Sequence, residues 1–291
     1  MSKEAKPSPS RPHPETHLHE LDALGTHWCI ESLDSELTAA IRQSITDHIT
    51  KFQETYTRFT DTSLLGRLNK EKRLYKPPAD MLAMLKFARD MFHITGGVFN
   101  ISVGGELLAR GYGKVSGQGN ISQKMWDELQ ATPEKITIPD EMSLDFGGFG
   151  KGWLIDELGK LLAQHRVEHF VINGGGDILV NAPEPIEFAL EHPLDPNKSI
   201  GSTKIQRGAL AVSSTIKRSW TKDNQRQHHI IDPRSCAPSE NDIVSAYIRA
   251  DTALIADVCA TVLLIDPTLE QALTEKYSLK TILLHHNQLT P

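Results

Sequence analysis

The segment from Leu144 to Gly152, Leu-Asp-Phe-Gly-Gly-Phe-Gly-Lys-Gly, constrains this chain more than any other stretch. Leu144–Phe146 reads as a short strand. From Trp153 the pattern is helical, with Trp153, Leu154, Leu158, Leu161 and Leu162 along one apolar face. The glycines between force a tight strand-to-helix turn. They also let the backbone approach a ligand closely, and a helix N-terminus favours an anion. A ligand-free turn would use the same residues. The order matches neither the phosphate loop, which needs Gly-Lys followed by Ser or Thr, nor the dinucleotide fingerprint Gly-x-Gly-x-x-Gly.

The rest of the chain builds a scaffold around that turn. Residues 1–18 carry Pro7, Pro9, Pro12 and Pro14 among polar residues and read as a disordered tail, leaving 19–291 as the folded domain. Thr26–Ser32 reads as a strand. Leu33, Leu37, Ile41, Ile45, Ile49 and Phe52 form the apolar stripe of a long helix. A second helix is predicted over Ala79–Ile94, behind Pro77 and Pro78 and ended by Gly96 and Gly97. Strands are predicted at His169–Asn173, Ile178–Asn181, Ile186–Glu191, Ala209–Ser213, His229–Asp232, Val244–Ala250 and Lys280–His285. Helices are predicted at Leu254–Leu264 and Leu269–Tyr277. Strands in meanders with a few long helices give an α+β class, with mixed or antiparallel sheets, rather than a regular βαβ series.

Charge and cysteine usage narrow the partners. Lys+Arg 31 against Asp+Glu 37 gives a net charge of −6, which excludes nucleic acid as a main partner because phosphate backbones call for a basic face. The cysteines Cys29, Cys236 and Cys259 form no CxxC pair, so neither a disulfide framework nor a structural zinc site is expected. No apolar leader precedes the folded part and no stretch approaches the ~20 residues of a membrane span. The expected location is the cytoplasm, with no membrane partner.

Three further features could carry chemistry. Asn173-Gly174-Gly175-Gly176-Asp177 suits a hairpin turn between two strands. Asp257 and Thr261 lie four apart and so share one face of a helix; a carboxylate and a hydroxyl placed that way suit Mg²⁺. Equally, Asp257 can serve as a helix N-terminal charge, with Thr261 bonding back to its own helix. His229, at a strand end before Asp232-Pro233-Arg234, can act as acid or base near neutral pH or be structural. Cys259 reads as a small core residue.

Read in order, these pieces resemble the FAD:protein FMN transferase family, also called ApbE-like. The resemblance runs through Leu24-Gly25-Thr26, the segment Tyr56 to Asn69, and Thr95-Gly96-Gly97-Val98-Phe99-Asn100. It continues through Asp145 to Gly152 with Asp156, Asn173 to Asp177, Ala211 to Ser214, His229 to Arg234 and Ala256 to Thr261. It implies a two-lobed single domain, T-fold-like, that binds FAD as substrate across the glycine turn. Mg²⁺ would sit on the pyrophosphate, held by Asp257, Thr261 and the carbonyl of Gly150. Leu24, Phe59, Val98, Phe99, Asn100, Gly147, Lys151 and Ile231 fall where the cofactor is bound, and His229 where a catalytic base would stand. The implied reaction moves FMN onto a Thr or Ser hydroxyl of an acceptor flavoprotein, such as a reductase or electron-transfer subunit, and releases AMP. FAD pyrophosphatase activity and non-catalytic FAD binding are the alternatives. Four departures stand out: Asn100 for the usual Asp, Leu24 for Met, Gly150 for Ala, and Ser235-Cys236 for Thr-Gly.

Overall fold

The computed structural model describes residues 17–112, 121–217, 219–222 and 225–288. Residues 1–16 of the expected tail lie outside the described residues, whereas Leu18 opens the first strand. In chain order the elements are β1 (Leu18–Ala23), β2 (Thr26–Ser32), α1 (Ala39–Tyr56), α2 (Leu64–Glu71), β3 (Arg73–Tyr75), α3 (Ala79–Ile94), α4 (Gly104–Ala109) and α5 (Met125–Glu128). There follow β4 (Gln130–Ala131), β5 (Lys135–Thr137), α6 (Gly150–Gln164), β6 (Phe170–Gly174), β7 (Asp177–His192), β8 (Asp195–Ser214), β9 (Ser219–Lys222) and β10 (Gln225–His228). The chain closes with β11 (Ile231–Asp232), β12 (Ala237–Pro238), β13 (Ile243–Ala250), α7 (Ala253–Ile265), α8 (Glu270–Tyr277) and β14 (Lys280–His285).

A seven-stranded antiparallel sheet, in the order β1-β2-β6-β7-β8-β13-β14, forms the frame. Helices α1, α3, α6 and α7 contribute to the main core, which includes Trp28, Ile30, Ile45, Phe149, Leu158, Ile248 and Leu263. The second core cluster joins Val180, Leu190, Ile205, Val244 and Tyr247. The ribbon β7–β8 makes this cluster possible by continuing past its sheet neighbours; Tyr247 Oη donates to the carbonyl of Glu191 at 2.5 Å.

Apart from Asp257 and Thr261, helix α7 is apolar throughout. Ala256, Val258, Cys259, Ala260, Val262, Leu263 and Leu264 are fully buried, as expected for a helix enclosed on every side. Asp156 of α6 accepts from Ala253 N at 2.9 Å and Leu254 N at 3.0 Å, so one carboxylate satisfies two of the helix's orphan donors. Gly152 makes the α6–α7 approach possible, since a Cβ there would stand 2.5 Å from the carbonyl oxygen of Ala253.

Several local expectations need correction. The stripe from Leu33 enters a helix only at Ala39, where Thr38 accepts from Ile41 N at 3.3 Å; Leu33 bonds instead to the His169 carbonyl. Leu144–Phe146 is not a strand, because Leu144 N and O are taken by the side chain of Asn69 and Asp145 N by Ile101 O. His229 is a bend, and the strand there is reduced to Ile231–Asp232. The strands predicted at Ile178–Asn181 and Ile186–Glu191 are one strand, β7, with a register shift across the proline-bearing stretch between them.

Candidate active site

A cavity of about 1160 Å³ opens beside the N-terminus of α6. Small-ligand clefts usually span about 300–1,000 Å³, so this one has room for a dinucleotide. Leu24, Phe59, Val98, Phe99, Asn100, Gly147, Gly150, Lys151, His229, Ile231, Asp257 and Thr261 all line it. These candidate site residues thus reach one wall or another of the same space, from segments more than two hundred residues apart.

The polar wall carries Asp257, Thr261, Ser213 and Lys151, with Asp177 on the same ammonium. Asp257 projects from α7 and Asp177 from the start of β7, with side chains 5% and 3% exposed. Asp257 Oδ2 accepts from Gly152 N at 2.9 Å, and Asp177 Oδ1 from Val212 N at 3.2 Å. The remaining oxygens both face the Lys151 ammonium: Asp177 Oδ2 is in direct contact with it and Asp257 Oδ1 lies 3.6 Å away. Burial raises the Asp257 carboxyl above its usual range and the charge of Asp177 adds to this, while Lys151 opposes it. One turn along α7, Thr261 Oγ1 lies 3.3 Å from Ser213 Oγ of β8. Among the described residues no cluster of three or more His, Cys, Asp or Glu stands ready for a metal. Two carboxylates and two hydroxyls are nevertheless an all-oxygen set. That set fits Mg²⁺, which is usually bound by one or two carboxylates and completes its shell with water and phosphate.

The opposite wall is aromatic. The Arg58 guanidinium sits 4.4 Å from the Phe59 ring centre and 5.4 Å from that of Tyr112. It is paired with Asp145 through Nε and donates to the Tyr112 carbonyl at 2.9 Å. Tyr112 stacks on Trp220 at 5.2 Å and on the His229 ring at 6.3 Å. Phe59 is 57% exposed, an apolar face turned outward at the cavity edge. The loop carrying His229 and Ile231 is fixed from behind. Ser239 N donates to the Ile230 carbonyl at 3.0 Å, Ser239 Oγ reaches the Leu264 carbonyl at 2.8 Å, and Arg234 bridges Asp232 and Asp266.

Two turns complete the rim. Leu24-Gly25 joins β1 to β2 with φ of 51° and 72°, the left-handed pair that a two-residue hairpin requires. Leu24 N donates to Gln53 Oε1 of α1 at 2.6 Å. In the loop after α3, Thr95 Oγ1 accepts from Phe99 N at 2.9 Å and presents Val98, Phe99 and Asn100. The Asn100 amide accepts from Ser102 N at 2.9 Å and donates to the Ser122 carbonyl at 3.1 Å. Sequence reasoning assigned no role to Asp177, Arg58, Tyr112 or Trp220. Asp177 was visible as the end of the glycine hairpin, but its partner Lys151 lies 26 residues away. No periodicity reports such a pair.

Fold and cavity together define a single-domain α+β protein whose cavity has a hard-oxygen wall and an aromatic one. The ApbE family model matches residues 24–283, and the chain belongs to the ApbE family. It is 24% identical over 287 residues to the FAD:protein FMN transferase of Escherichia coli K12, covering 89% of this chain and 81% of that one. A Klebsiella pneumoniae FAD:protein FMN transferase is 34% identical over 123 residues, 42% of this chain and 38% of that one. Among solved structures, the ApbE protein of Thermotoga maritima superposes with a TM-score of 0.78 at 20% identity, covering 91% of this chain and 94% of that one. A histidine-to-glycine variant of the Vibrio cholerae flavin transferase ApbE gives 0.76 at 19% identity, over 92% and 93%. Among the described residues no helix is long and apolar enough to cross a membrane.

Proposed function

We propose that this protein is an FAD:protein FMN transferase that uses Mg²⁺ and delivers FMN to a Thr or Ser hydroxyl of an acceptor flavoprotein. The observation that carries the reading is Asp257 in the wall of a cavity of dinucleotide size, with Asp177 joined to it through Lys151. A pyrophosphate brought against the buried Asp257 carboxylate needs a cation between them. In this reading Asp257, Thr261 and the Gly150 carbonyl hold the ion, with Asp177 beside them. When bound, the ion neutralises charge on the phosphates during transfer.

The chain's own residues do the rest by position. Leu24, Phe59, Val98, Phe99, Asn100, Gly147 and Ile231 bind FAD, and Lys151 serves its phosphates. The acceptor hydroxyl attacks the FMN phosphorus, its proton passes to His229, the bond to the AMP oxygen breaks, and AMP leaves. Stacking on Tyr112 orients the His229 ring for that proton. The Asn100 amide holds its loop and takes no proton. The transferase domain begins with β1 in this proposal. The location is cytoplasmic, in keeping with three free cysteines.

The test follows AMP from FAD and Mg²⁺, with and without a flavin-carrying reductase or electron-transfer subunit as acceptor. AMP release that requires the acceptor is the expected outcome, and Asp257→Ala abolishes it. AMP without acceptor would make the protein an FAD pyrophosphatase; a yellow complex yielding no AMP would make it a carrier.

A further inference from the structure

The cation-binding reading leaves one feature unexplained: the place where the carboxylates converge already holds a positive charge of the protein's own. Lys151 Nζ touches Asp177 Oδ2 and lies 3.6 Å from Asp257 Oδ1. Each carboxylate has its other oxygen bound to a backbone N–H, from Val212 and from Gly152. The two remaining oxygens therefore face a position set by the backbone, and the ammonium is what fills it. Lys151 is 17% exposed, and its long stem rises from the first turn of α6, beside the glycines that line the cavity.

We propose that Lys151 is the resident counter-ion of this site and competes with the divalent cation for Asp177 and Asp257. Resting on the cation-binding reading above, this couples two events. An ion entering the site releases the ammonium from the carboxylates, and the released ammonium is then available to a phosphate oxygen of the substrate. A phosphate that draws the ammonium away leaves the carboxylates open to the ion. Each ligand thus favours the other through one side chain. A lysine suits this exchange, because its ammonium is a compact point charge on a flexible stem.

The experiment measures Mn²⁺ binding by the full chain without nucleotide, from the free-ion electron paramagnetic resonance signal. Lys151→Met is expected to bind Mn²⁺ at least tenfold more tightly than the wild type. Equal or weaker binding overturns the proposal while leaving the transferase reading intact; no Mn²⁺ binding by either protein, with or without FAD, overturns both. Lys151→Met strips two buried carboxylates of their counter-ion, so a second measurement uses the wild type alone. Acylation of Lys151 by an amine-reactive ester, mapped by mass spectrometry, is expected to rise severalfold when Mn²⁺ is added. Labelling indifferent to Mn²⁺ counts against the competition.

Discussion

The neighbours of Asn100 select an amide side chain. The backbone N–H of Ser102 can only donate and the carbonyl of Ser122 can only accept, so the side chain must offer one acceptor and one donor. Asn100→Asp turns the donor into an oxygen facing a carbonyl in a buried place. Leaving such groups unsatisfied costs about 1–3 kcal/mol, and urea unfolding should show a loss of that order. An unchanged midpoint would mean that the loop relaxes around the carboxylate. At this scale the sequence named residues well and pairings poorly. Motif order listed the side chains that line the cavity, because those residue types keep their spacing along the chain. It could not show that Arg58 meets Asp145 or that Lys151 meets Asp177, since those contacts join segments 87 and 26 residues apart.

The first turn of α6 carries two glycines with opposite tolerances, Gly150 facing α1 and Gly152 facing α7. A Cβ on Gly150 would meet the Phe52 ring at 3.7 Å, an ordinary contact, so Gly150→Ala fits and should stabilise the protein by about 0.4–1 kcal/mol by restricting the unfolded chain. A Cβ on Gly152 would stand 2.5 Å from backbone of α7, and that backbone has no room to yield. Gly152→Ala should lower stability by about 1–3 kcal/mol and weaken the bond from Gly152 N to Asp257. Thermal melts of the two variants side by side check the contrast, and equal shifts would refute it. Most long helices were legible from their four-residue stripes. The ribbon β7–β8 was not. Pro183 and Pro185 split β7 in the sequence, while the polar start of β8, Asp195 to Ser199, hides a strand that pairs with its neighbour and has no core to face.

For the molecule as a whole, the α6–α7 clamp carries a pH signature. Burial raises the Asp156 carboxyl, while its two bonds to the α7 N–H groups pull it back down. A carboxyl raised in the fold contributes stability fully below its unfolded value of about 3.9, and that contribution is lost as pH rises through the folded value. The unfolding free energy of the wild type relative to Asp156→Asn should therefore fall as pH increases above about 4 and then level off. A pH-independent difference in urea titrations would contradict this. The hairpin at Leu24 has a different consequence for the whole. Strand β1 is an edge of the sheet, its turn forms part of the cavity rim, and that rim is tied to α1 through Leu24 N and Gln53. Exchanging such a tie for water costs on the order of 1 kcal/mol, far less than parting α6 from α7. The Leu24 turn is thus the cavity border that costs least to displace, and the seam beneath the carboxylate helix the one that costs most.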